Sequence, residues 1–356
     1  SRHRRAPCSD RCLTGAASEC CRMRLLAAAI MGAAAAATPE PSVAVAVVAC
    51  GRLAGEALFG MCVRSLRGPG AFAGAIYALT DRPACAPATT TVAAVRAERG
   101  GLFGLECRRR AAKPSRPPAQ VPVRVEPRCQ QGASILYKQL KMRLLDVVRE
   151  DVVWYVDVDV VAGAPVGPLV AAALAAFRDP ATTLAAYDEA AVTADAHDRT
   201  RLLREPYHGG VFFAHRTRSA RCLRAWGARV AAAIPAHGRA VKRSSIRDQP
   251  LLAATIREGA CVVAPLTPAT LSKPSRSTIE GGRYAVLNHL SRSSRLKGKR
   301  NMHNLTRAHL ARLGADLLGV RGARGNWWAA PAACAPRGGD GGGDADEALV
   351  LGCGDG

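Results

Sequence analysis

The stretch Arg149–Pro165, REDVVWYVDVDVVAGAP, decides the fold class because it joins an apolar strand to two acidic residues. Residues 152–156 are short, apolar and rich in β-branched and aromatic side chains, which is typical of a buried strand. Side chains alternate between the faces of a strand, so Asp157 and Asp159 are predicted to point the same way while Val158 points back into the core. The sequence therefore predicts two carboxylates side by side at a strand end.

Two carboxylates at this spacing repel each other and lose hydration, which is costly unless a cation or a fixed donor lies between them. A hard divalent ion that also carries a phosphate-bearing substrate is the commonest solution. The alternative is that the pair caps a loop or pairs with arginines, which are abundant in this chain. The strand before the pair and the Ala-Gly-Ala-Pro turn after it favour the metal ion.

The composition is that of a folded and strongly basic protein. Of its 356 residues 49% are hydrophobic, so the chain can bury a sizeable core. A formal net charge of +22 raises nucleic acids, anionic membranes and acidic polymers as partners. Aromatic residues make up only 4% and the arginines are scattered, which suits a base-stacking surface poorly. Nucleic acid is therefore not an expected partner.

The cysteines fall into groups of different character. Four cysteines cluster near the start of the chain: Cys8, Cys12, Cys20 and Cys21. Neither a histidine nor a second Cys-x-x-Cys follows them at the spacing of a zinc site, so a zinc site is not expected there. Four cysteines lie in apolar runs and are expected to pack as small hydrophobic side chains: Cys50, Cys62, Cys222 and Cys261. Three lie in polar or proline-rich connections, where an oxidising compartment would allow disulfides: Cys85, Cys107 and Cys129. The pairing cannot be read from the sequence.

The two ends of the chain differ from its middle. Residues 22–24 are basic and precede the Ala-rich run 25–37, a layout typical of a secretory signal or anchor, with an Ala-rich helix as the alternative. Residues 1–42 are predicted to be an N-terminal tail, residues 43–312 one folded domain and residues 313–356 a disordered low-complexity tail. The first segment is also where a membrane association would arise.

An alternation of strands and helices predicts an α/β fold with a mostly parallel central sheet flanked by helices. Residues 43–51 and 74–81 are predicted strands, and residues 52–67 between them a helix. Such sheets bind ligands beyond the carboxyl ends of their strands, so the loops after Gly51 and Asp81 should face the same cleft as the aspartate pair. The chain has neither a G-x-G-x-x-G after the first strand nor a P-loop, which disfavours dinucleotide oxidoreductases and P-loop enzymes.

Later segments add polar residues to the same cleft. Residues 133–148 are predicted to be a helix with a basic face, from which Lys141 could reach a diphosphate. A strand at 182–187 ends at Asp188.

Two glycines, Gly209 and Gly210, open an aromatic strand at 207–217, where backbone can approach a ligand closely or form a β-bulge. A helix is expected to begin at Asp248, with Pro250 in its first turn.

Residues 283–312 contain no acidic residue and many lysines and arginines. His289 ends a short apolar run in this segment, and Lys299 follows in a basic loop. The segment is either an anion site or a solvated face, and the lack of counter-charge favours the anion.

In chain order these pieces resemble the GT-A nucleotide-diphospho-sugar transferases, which are glycosyltransferases with a D-x-D motif and a Rossmann-like sheet. The resemblance runs from about Val43 to about Lys299 and rests on YVDVDVV, HGGVFFAHRTRSARCLRAW, DQPLL and NHL. It implies metal-dependent transfer of a hexose or pentose from a nucleotide-diphosphate sugar to a glycan or glycoprotein acceptor. It also implies the secretory pathway, and within it the Golgi lumen.

The resemblance implies roles for individual residues. Asp159, with Asp157 directly or through water, would hold Mn²⁺ or Mg²⁺, and His289 would be a further ligand, which favours Mn²⁺ because imidazole suits it better. The implied catalytic residues are Asp188, Asp248 and Gln249. The implied substrate-binding residues are Asp81, Lys141, Asp157, His208, Gly209, Gly210 and Lys299.

Two departures from the family pattern leave questions open. His208 stands where many relatives have Asn before the glycine, so sugar recognition is open, and no compact H-x-x-G-x-x-K-P surrounds His289. Inversion and retention also stay open, because both Asp188 and Asp248 are eligible as the carboxylate base of an inverting enzyme.

Two other functions compete with this interpretation. A nucleotidyltransferase would use a similar metal site, although residues 49–52 offer little of its usual Gly- and Lys-rich phosphate loop. A non-catalytic polyanion-binding protein on the same fold is the second. An esterase, suggested by residues 208–210, is disfavoured because the chain has no G-x-S-x-G elbow.

Overall fold

The computed structural model describes residues 40–50, 54, 57–97, 102–108, 121–124, 138–189, 206–233, 248–274, 276–290 and 307–318. The chain divides into two compact units, Ser1–Glu40 and Pro41–Gly356, and every element described below belongs to the second. Within the described ranges no helix is both long and apolar enough to cross a membrane. The Ala-rich run 25–37 lies outside those ranges, so its prediction stays a prediction.

The described residues form strands, α-helices and short 3-10 helices. The strands are β1 (Val43–Val48), β2 (Ile76–Thr80), β3 (Thr91–Ala97), β4 (Leu102–Arg108), β5 (Val121–Arg124), β6 (Val152–Val156), β7 (Val160–Ala162), β8 (Leu184–Asp188), β9 (Tyr207–His215), β10 (Val263–Leu266), β11 (Leu271–Ser272) and β12 (Leu287–His289). The α-helices are α1 (Ala57–Arg67), α2 (Gly167–Ala176), α3 (Ala220–Ala233), α4 (Asp248–Arg257), α5 (Arg276–Glu280) and α6 (Arg307–Leu318). The 3-10 helices are Pro83–Cys85, Leu144–Asp146 and Pro268–Thr270.

One large sheet has the strand order β10-β8-β9-β6-β1-β2-β3-β4-β5. The pairs β10/β8, β6/β1, β1/β2 and β2/β3 are parallel, whereas β9 and β4 are each antiparallel to both of their neighbours. All strands of this sheet except β9 and β4 therefore run the same way, and the predicted α/β fold with a mostly parallel sheet is confirmed. A smaller sheet has the order β11-β12-β7.

Strand β6 is the central support of the site because both of its faces are buried. Val153 and Tyr155 pack into one core together with residues of α3 and α4. Val152, Trp154 and Val156 pack into the opposite core with residues of α1 and α2. Apolar residues on both faces are what a parallel strand covered by helices on both sides requires. The strand is therefore held firmly, and so is the acidic turn at its carboxyl end.

The prediction of a continuous helix over residues 133–148 is wrong in the described part. Residues 138–141 make one helical turn and the 3-10 helix Leu144–Asp146 follows. The pattern assigned Lys141 to a solvated face, whereas its side chain is buried between the equally buried Leu140 and Met142. Three consecutive buried residues do not fit an amphipathic helix with one apolar stripe, so the regular helix is interrupted.

The prediction that Cys222 and Cys261 pack only as small hydrophobic side chains is also wrong. They form a disulfide, with Cα atoms 4.8 Å apart, that ties α3 to the residues before β10. Cys50 and Cys62 are buried free thiols, as predicted. Cys85 is disulfide-bonded, in agreement with its polar, proline-containing connection. Apolar surroundings alone could not separate these cases, because buried cystines and buried thiols share them.

Replacing both Cys222 and Cys261 with alanine is expected to lower the free energy of unfolding by up to about 4 kcal/mol, the loop-closure value for a sequence separation of 39 residues. Urea unfolding followed by circular dichroism measures this loss. Cys50→Ala is the matched control, since it removes a buried thiol that closes no loop. Equal midpoints for the double variant and the control would contradict the expectation.

Candidate metal centre

Asp157, Asp159 and His289 meet because two short strands pair beside the end of β6. Asp157 directly follows β6, and Asp159 directly precedes β7. Strand β12 runs antiparallel to β7 and places His289 opposite Val160. The Leu290 N–H donates to the Asp159 carbonyl at 2.8 Å, which extends this pairing by one step. The local sheet thus brings a late histidine to the aspartate pair.

The three side chains have the geometry of a cation site. One ligand atom from each of Asp157, Asp159 and His289 lies within 4.8 Å of the other two. Donors about 2.0–2.6 Å from a shared Mg²⁺-like or Ca²⁺-like ion can be at most about 4–5 Å apart, so the spacing fits one ion between them. Asp159 is buried and the other two side chains are partly exposed, which leaves a side open to a ligand. Two carboxylates and one imidazole form a donor set suited to a first-row divalent ion.

The charge on Asp159 is stabilised by His289. Burial is the largest single influence and would raise the pKa of the Asp159 carboxyl, but the His289 imidazole 3.3 Å away, a backbone hydrogen bond and Lys141 together outweigh it, so the pKa is lowered. Burial, the largest single influence, would in turn lower the pKa of His289, but Asp159 and Asp157 together outweigh it, so the pKa of the imidazole is raised. Asp159 is therefore ionised near neutral pH, as a metal ligand must be.

Lys141 links the aspartate pair to the start of α4. Its ammonium group lies 2.8 Å from the Gly209 carbonyl, 2.8 Å from Asp248 Oδ2 and 3.4 Å from Asp157 Oδ1. It also lies 4.8 Å from the centre of the Tyr155 ring, and it is 2% exposed. The lysine is thus placed to hold Asp157 and Asp248 at a fixed spacing, and its predicted contact with a diphosphate stays a prediction.

Asp248 is a strong acid in this setting. Burial is the largest single influence and opposes ionisation of Asp248, but the charges of Lys141 and Lys138 and the hydrogen bonds to the carboxylate together outweigh it and lower the pKa to about 2. The Trp226 indole N–H donates to the Asp248 carbonyl at 2.9 Å and fixes the first turn of α4. A general base works best with a pKa near the operating pH, so Asp248 in this ion pair is a weak base.

The glycine pair lets β9 approach the aspartates. The Asp157 N–H donates to the Gly210 carbonyl at 2.7 Å. A Cβ on Gly210 would lie 2.3 Å from Asp157 Oδ2, and one on Gly209 would lie 3.0 Å from the Gln249 side chain. A side chain at position 210 would therefore have to displace Asp157, whereas at position 209 the Gln249 side chain would have to give by a few tenths of an ångström. The register irregularity between β8 and β9 includes this pair, because Ala186 pairs with Phe212 and Asp188 with Tyr207, which leaves residues 208–211 of β9 opposite Tyr187 alone. The β-bulge that the sequence left open as an alternative is therefore present at the two glycines.

His208 lies next to the metal centre. Its Nε2 is 2.9 Å from His289 Nδ1, and the Gly210 N–H donates to its Nδ1 at 3.1 Å. Burial lowers the pKa of His208 well below its usual value, and nearby positive groups add to this effect. Glu189, which the sequence did not single out, pairs with Lys273 and lies 3.9 Å from His208. The one feature of the sequence that pointed to Glu189 was its position directly after the candidate residue Asp188.

The other predicted residues lie at different distances from this centre. Asp81 follows β2 at the same carboxyl edge. The pKa of the nearby Cys50 thiol is raised mainly by burial and further by the charge of Asp81. Asp188 ends β8 opposite Tyr207 and is half-buried. The Gln249 amide donates to the Tyr207 carbonyl at 3.2 Å, which ties α4 to β9. Lys299 lies outside the described residues.

If the candidate site binds Mn²⁺, replacing Gly210 with alanine is expected to weaken that binding by about 10-fold or more, since the new methyl group must displace the Asp157 carboxylate. It should also destabilise the protein by about 1–3 kcal/mol through overpacking. Calorimetric titration with Mn²⁺ and urea unfolding measure the two effects. Gly167→Ala is the matched control, since a Cβ there meets nothing within 4 Å. Unchanged Mn²⁺ affinity in Gly210→Ala would contradict the expectation.

Fold and site together define a class: an α/β protein with an acidic, histidine-containing candidate cation site at the carboxyl edge of a mostly parallel sheet. No family model matches the sequence, and no curated protein matches it. The structure is similar to the solved apo-form glycosyltransferase GlyE of Streptococcus pneumoniae TIGR4, with 12% identity and a TM-score of 0.41. The match covers 78% of this chain and 60% of that protein. At this level of similarity the chemistry has to be argued from the side chains.

Proposed function

We propose that this protein is a metal-dependent glycosyltransferase that moves a sugar from a nucleotide-diphosphate sugar to a glycan or glycoprotein acceptor. The observation that carries the proposal is the convergence of Asp157, Asp159 and His289 within 4.8 Å at the carboxyl edge of the sheet. Ligands of open α/β sheets bind at this edge. The D-x-D resemblance supplies the substrate class.

The proposal assigns a separate role to each residue of the site. Asp157, Asp159 and His289 would hold Mn²⁺, or Mg²⁺ in its place, which would supply positive charge to neutralise the leaving diphosphate. The Gly209–Gly210 backbone leaves room beside the carboxylates for a ligand. Lys141 holds Asp248 and Asp157 in position. Asp248 is already paired with lysines, so it is poorly suited to act as the general base on the acceptor side. Asp188 remains the candidate for that role.

The secretory pathway, with the Golgi lumen as the site of action, belongs to the same proposal. The disulfide between Cys222 and Cys261 and the bonded state of Cys85 support it, because disulfides persist in oxidising compartments. The Ala-rich run 25–37 is the segment we propose as signal or membrane anchor.

A thermal-shift screen tests the proposed function directly. UDP-, GDP- and CMP-sugars are each added with Mn²⁺ and with EDTA, and one nucleotide sugar is expected to stabilise the protein only with the metal. At 100 times the dissociation constant the gain is about 2.7 kcal/mol, or about 5–10 °C for a domain of this size.

Two further ligands in the same screen separate the rival functions. Stabilisation by nucleoside triphosphates but by no nucleotide sugar would favour a nucleotidyltransferase. Stabilisation by heparin alone, independent of metal, would favour a polyanion-binding protein. Hydrolysis of the stabilising nucleotide sugar is then measured as release of the nucleoside diphosphate, and such release would support transfer chemistry.

A further inference from the structure

Asn288 is a buried asparagine in the small sheet, one residue before the candidate ligand His289. Its Nδ2 donates to the Ala285 carbonyl at 2.9 Å and to the Val161 carbonyl at 3.4 Å. Its Oδ1 accepts from the Ala285 N–H at 3.0 Å and from the Ser272 hydroxyl at 3.4 Å. One side chain therefore joins β7, β11 and the residues just before β12.

These contacts use the full hydrogen-bonding capacity of the Asn288 amide, which has two N–H donors and an oxygen with two lone pairs. They also fix which way the amide points, because the Ala285 N–H can only donate and the two carbonyls can only accept. Asn288 is 0% exposed, so a strand arrangement that separated it from these groups would leave buried donors and acceptors without partners. The amide thus favours one arrangement of the small sheet.

The apolar residues of this segment do not specify the register of β12 by themselves. Residues 286–290 have the sequence VLNHL, so apolar side chains occur at both even and odd positions. Because side chains alternate between the faces of a strand, either register would bury some of them. A shift of one residue turns every side chain to the opposite face. His289, which lies opposite Val160, would then point away from the aspartate pair.

Gly163, directly after β7, makes room for this amide. A Cβ at position 163 would lie 2.9 Å from Asn288 Nδ2 and 2.5 Å from the Ala285 carbonyl oxygen. The Gly163 N–H donates to the Val286 carbonyl at 2.9 Å, which continues the pairing of β7 with β12. The absence of a side chain at position 163 therefore lets the two strands approach closely enough for Asn288 to bridge them.

We infer that Asn288 is a positioning residue that sets the register of β12 and so brings His289 to Asp157 and Asp159. The inference rests on the proposed function for the role of the metal ion, whereas the register of the metal-free protein does not depend on it. Adjacent residues of a strand point to opposite faces, so Asn288 acts through the strand and not by contact with the ion. Fixing the register is the best-attested use of a single buried polar group.

Hydrogen exchange in the metal-free protein tests the register without any ion. The Leu290 N–H donates to the Asp159 carbonyl and the Gly163 N–H to the Val286 carbonyl, so both amides report the pairing of β7 with β12. Asn288→Leu has a side chain of similar size that makes none of the amide's hydrogen bonds, and both backbone amides are expected to exchange at least about 10-fold faster. The wild-type Asn288 side-chain amide should exchange as slowly as the Leu290 N–H.

Calorimetric titration and pulsed EPR with Mn²⁺ test the consequence for His289. Asn288→Leu is expected to weaken Mn²⁺ binding by about 10- to 100-fold, the usual range for residues that orient a metal ligand. Mn²⁺ that stays bound should lose the nitrogen-14 modulation of a coordinated imidazole, as it should in His289→Gln. Gly163→Ala should change both readouts in the same direction, since its new methyl group must displace the Asn288 amide.

Two controls separate positioning from a general loss of stability. Leu223→Ala removes a buried side chain from α3, in the core on the other face of the large sheet, and should lower the urea midpoint without changing Mn²⁺ affinity or the nitrogen-14 modulation. Ser272→Ala removes only a 3.4 Å contact from the Asn288 oxygen and should leave all readouts near their wild-type values.

The outcomes separate the inference from the proposed function. Wild-type Mn²⁺ affinity and nitrogen-14 modulation in folded Asn288→Leu would overturn the positioning role, and so would equal losses of both in Leu223→Ala. A wild type that binds no Mn²⁺ would overturn the proposed metal function, while the exchange rates of the metal-free protein would still decide the role of Asn288. If Asn288→Leu does not fold, fast exchange of the wild-type Asn288 side-chain amide would overturn the inference, and slow exchange together with the losses in Gly163→Ala would support it.

Discussion

Replacing Asp159 with asparagine is expected to lower Mn²⁺ affinity by more than about 100-fold and to abolish metal-dependent transfer from a nucleotide sugar. Asp159 is the most buried of the three candidate ligands, and its carboxyl is kept ionised by His289 at 3.3 Å. The asparagine amide oxygen carries no net charge and is a weaker ligand than a carboxylate. Residues that only hydrogen-bond to a metal ligand typically cost about 10- to 100-fold in affinity when replaced, and the loss of a direct ligand should exceed that. Calorimetry with Mn²⁺ and release of nucleoside diphosphate measure the two losses.

The control for this variant comes from the other end of the same strand. Asp151 precedes β6 and accepts hydrogen bonds from Ser42, so Asp151→Asn makes the same chemical change away from the metal centre. It should leave Mn²⁺ affinity and transfer within about twofold of the wild type. Asp157→Asn should show an intermediate loss, because Lys141 and the Tyr155 hydroxyl share its carboxylate. Full transfer activity in Asp159→Asn would falsify the proposed function.

The central sheet could be predicted because its strands are long apolar runs. Strands β1, β6 and β9 are buried over most of their length, and their sequences contain almost no polar residue that competes with that interpretation. The short strands β7 and β12 could not be predicted, since three residues carry no periodic pattern. Their pairing depends on tertiary contacts, among them the Asn288 amide, which donates to the carbonyls of Val161 and Ala285.

The site shows the same division between local and distant causes. The shared direction of Asp157 and Asp159 follows from strand alternation, and the sequence predicted it. The burial of Lys141 could not be predicted, because its partners Asp248 and Gly209 come from segments far along the chain. A lysine in an amphipathic pattern is normally solvated, and only the folded arrangement supplies three acceptors for it.

Replacing Lys141 with methionine is expected to destabilise the protein by about 3–5 kcal/mol, the usual cost of removing one partner from a buried ion pair. The change leaves Asp248 and Asp157 without the ammonium group that lies 2.8 and 3.4 Å from them. Urea unfolding measures the loss. Lys138→Met is the comparison, because Lys138 lies farther from Asp248, at 3.5 Å, with a more exposed side chain, and should cost about 1 kcal/mol or less.

A double variant and a metal titration test the structural role of Lys141. Lys141→Met with Asp248→Asn should recover part of the lost stability, since the unpaired charge of Asp248 is removed together with its partner. Mn²⁺ affinity should rise in Lys141→Met while stability falls, because a positive charge 3.4 Å from Asp157 no longer opposes the incoming ion. Asp159→Asn changes affinity in the opposite direction, so the two variants cannot be confused. Stability within about 0.5 kcal/mol of the wild type in Lys141→Met would show that the ion pairs do not hold the two aspartates in place.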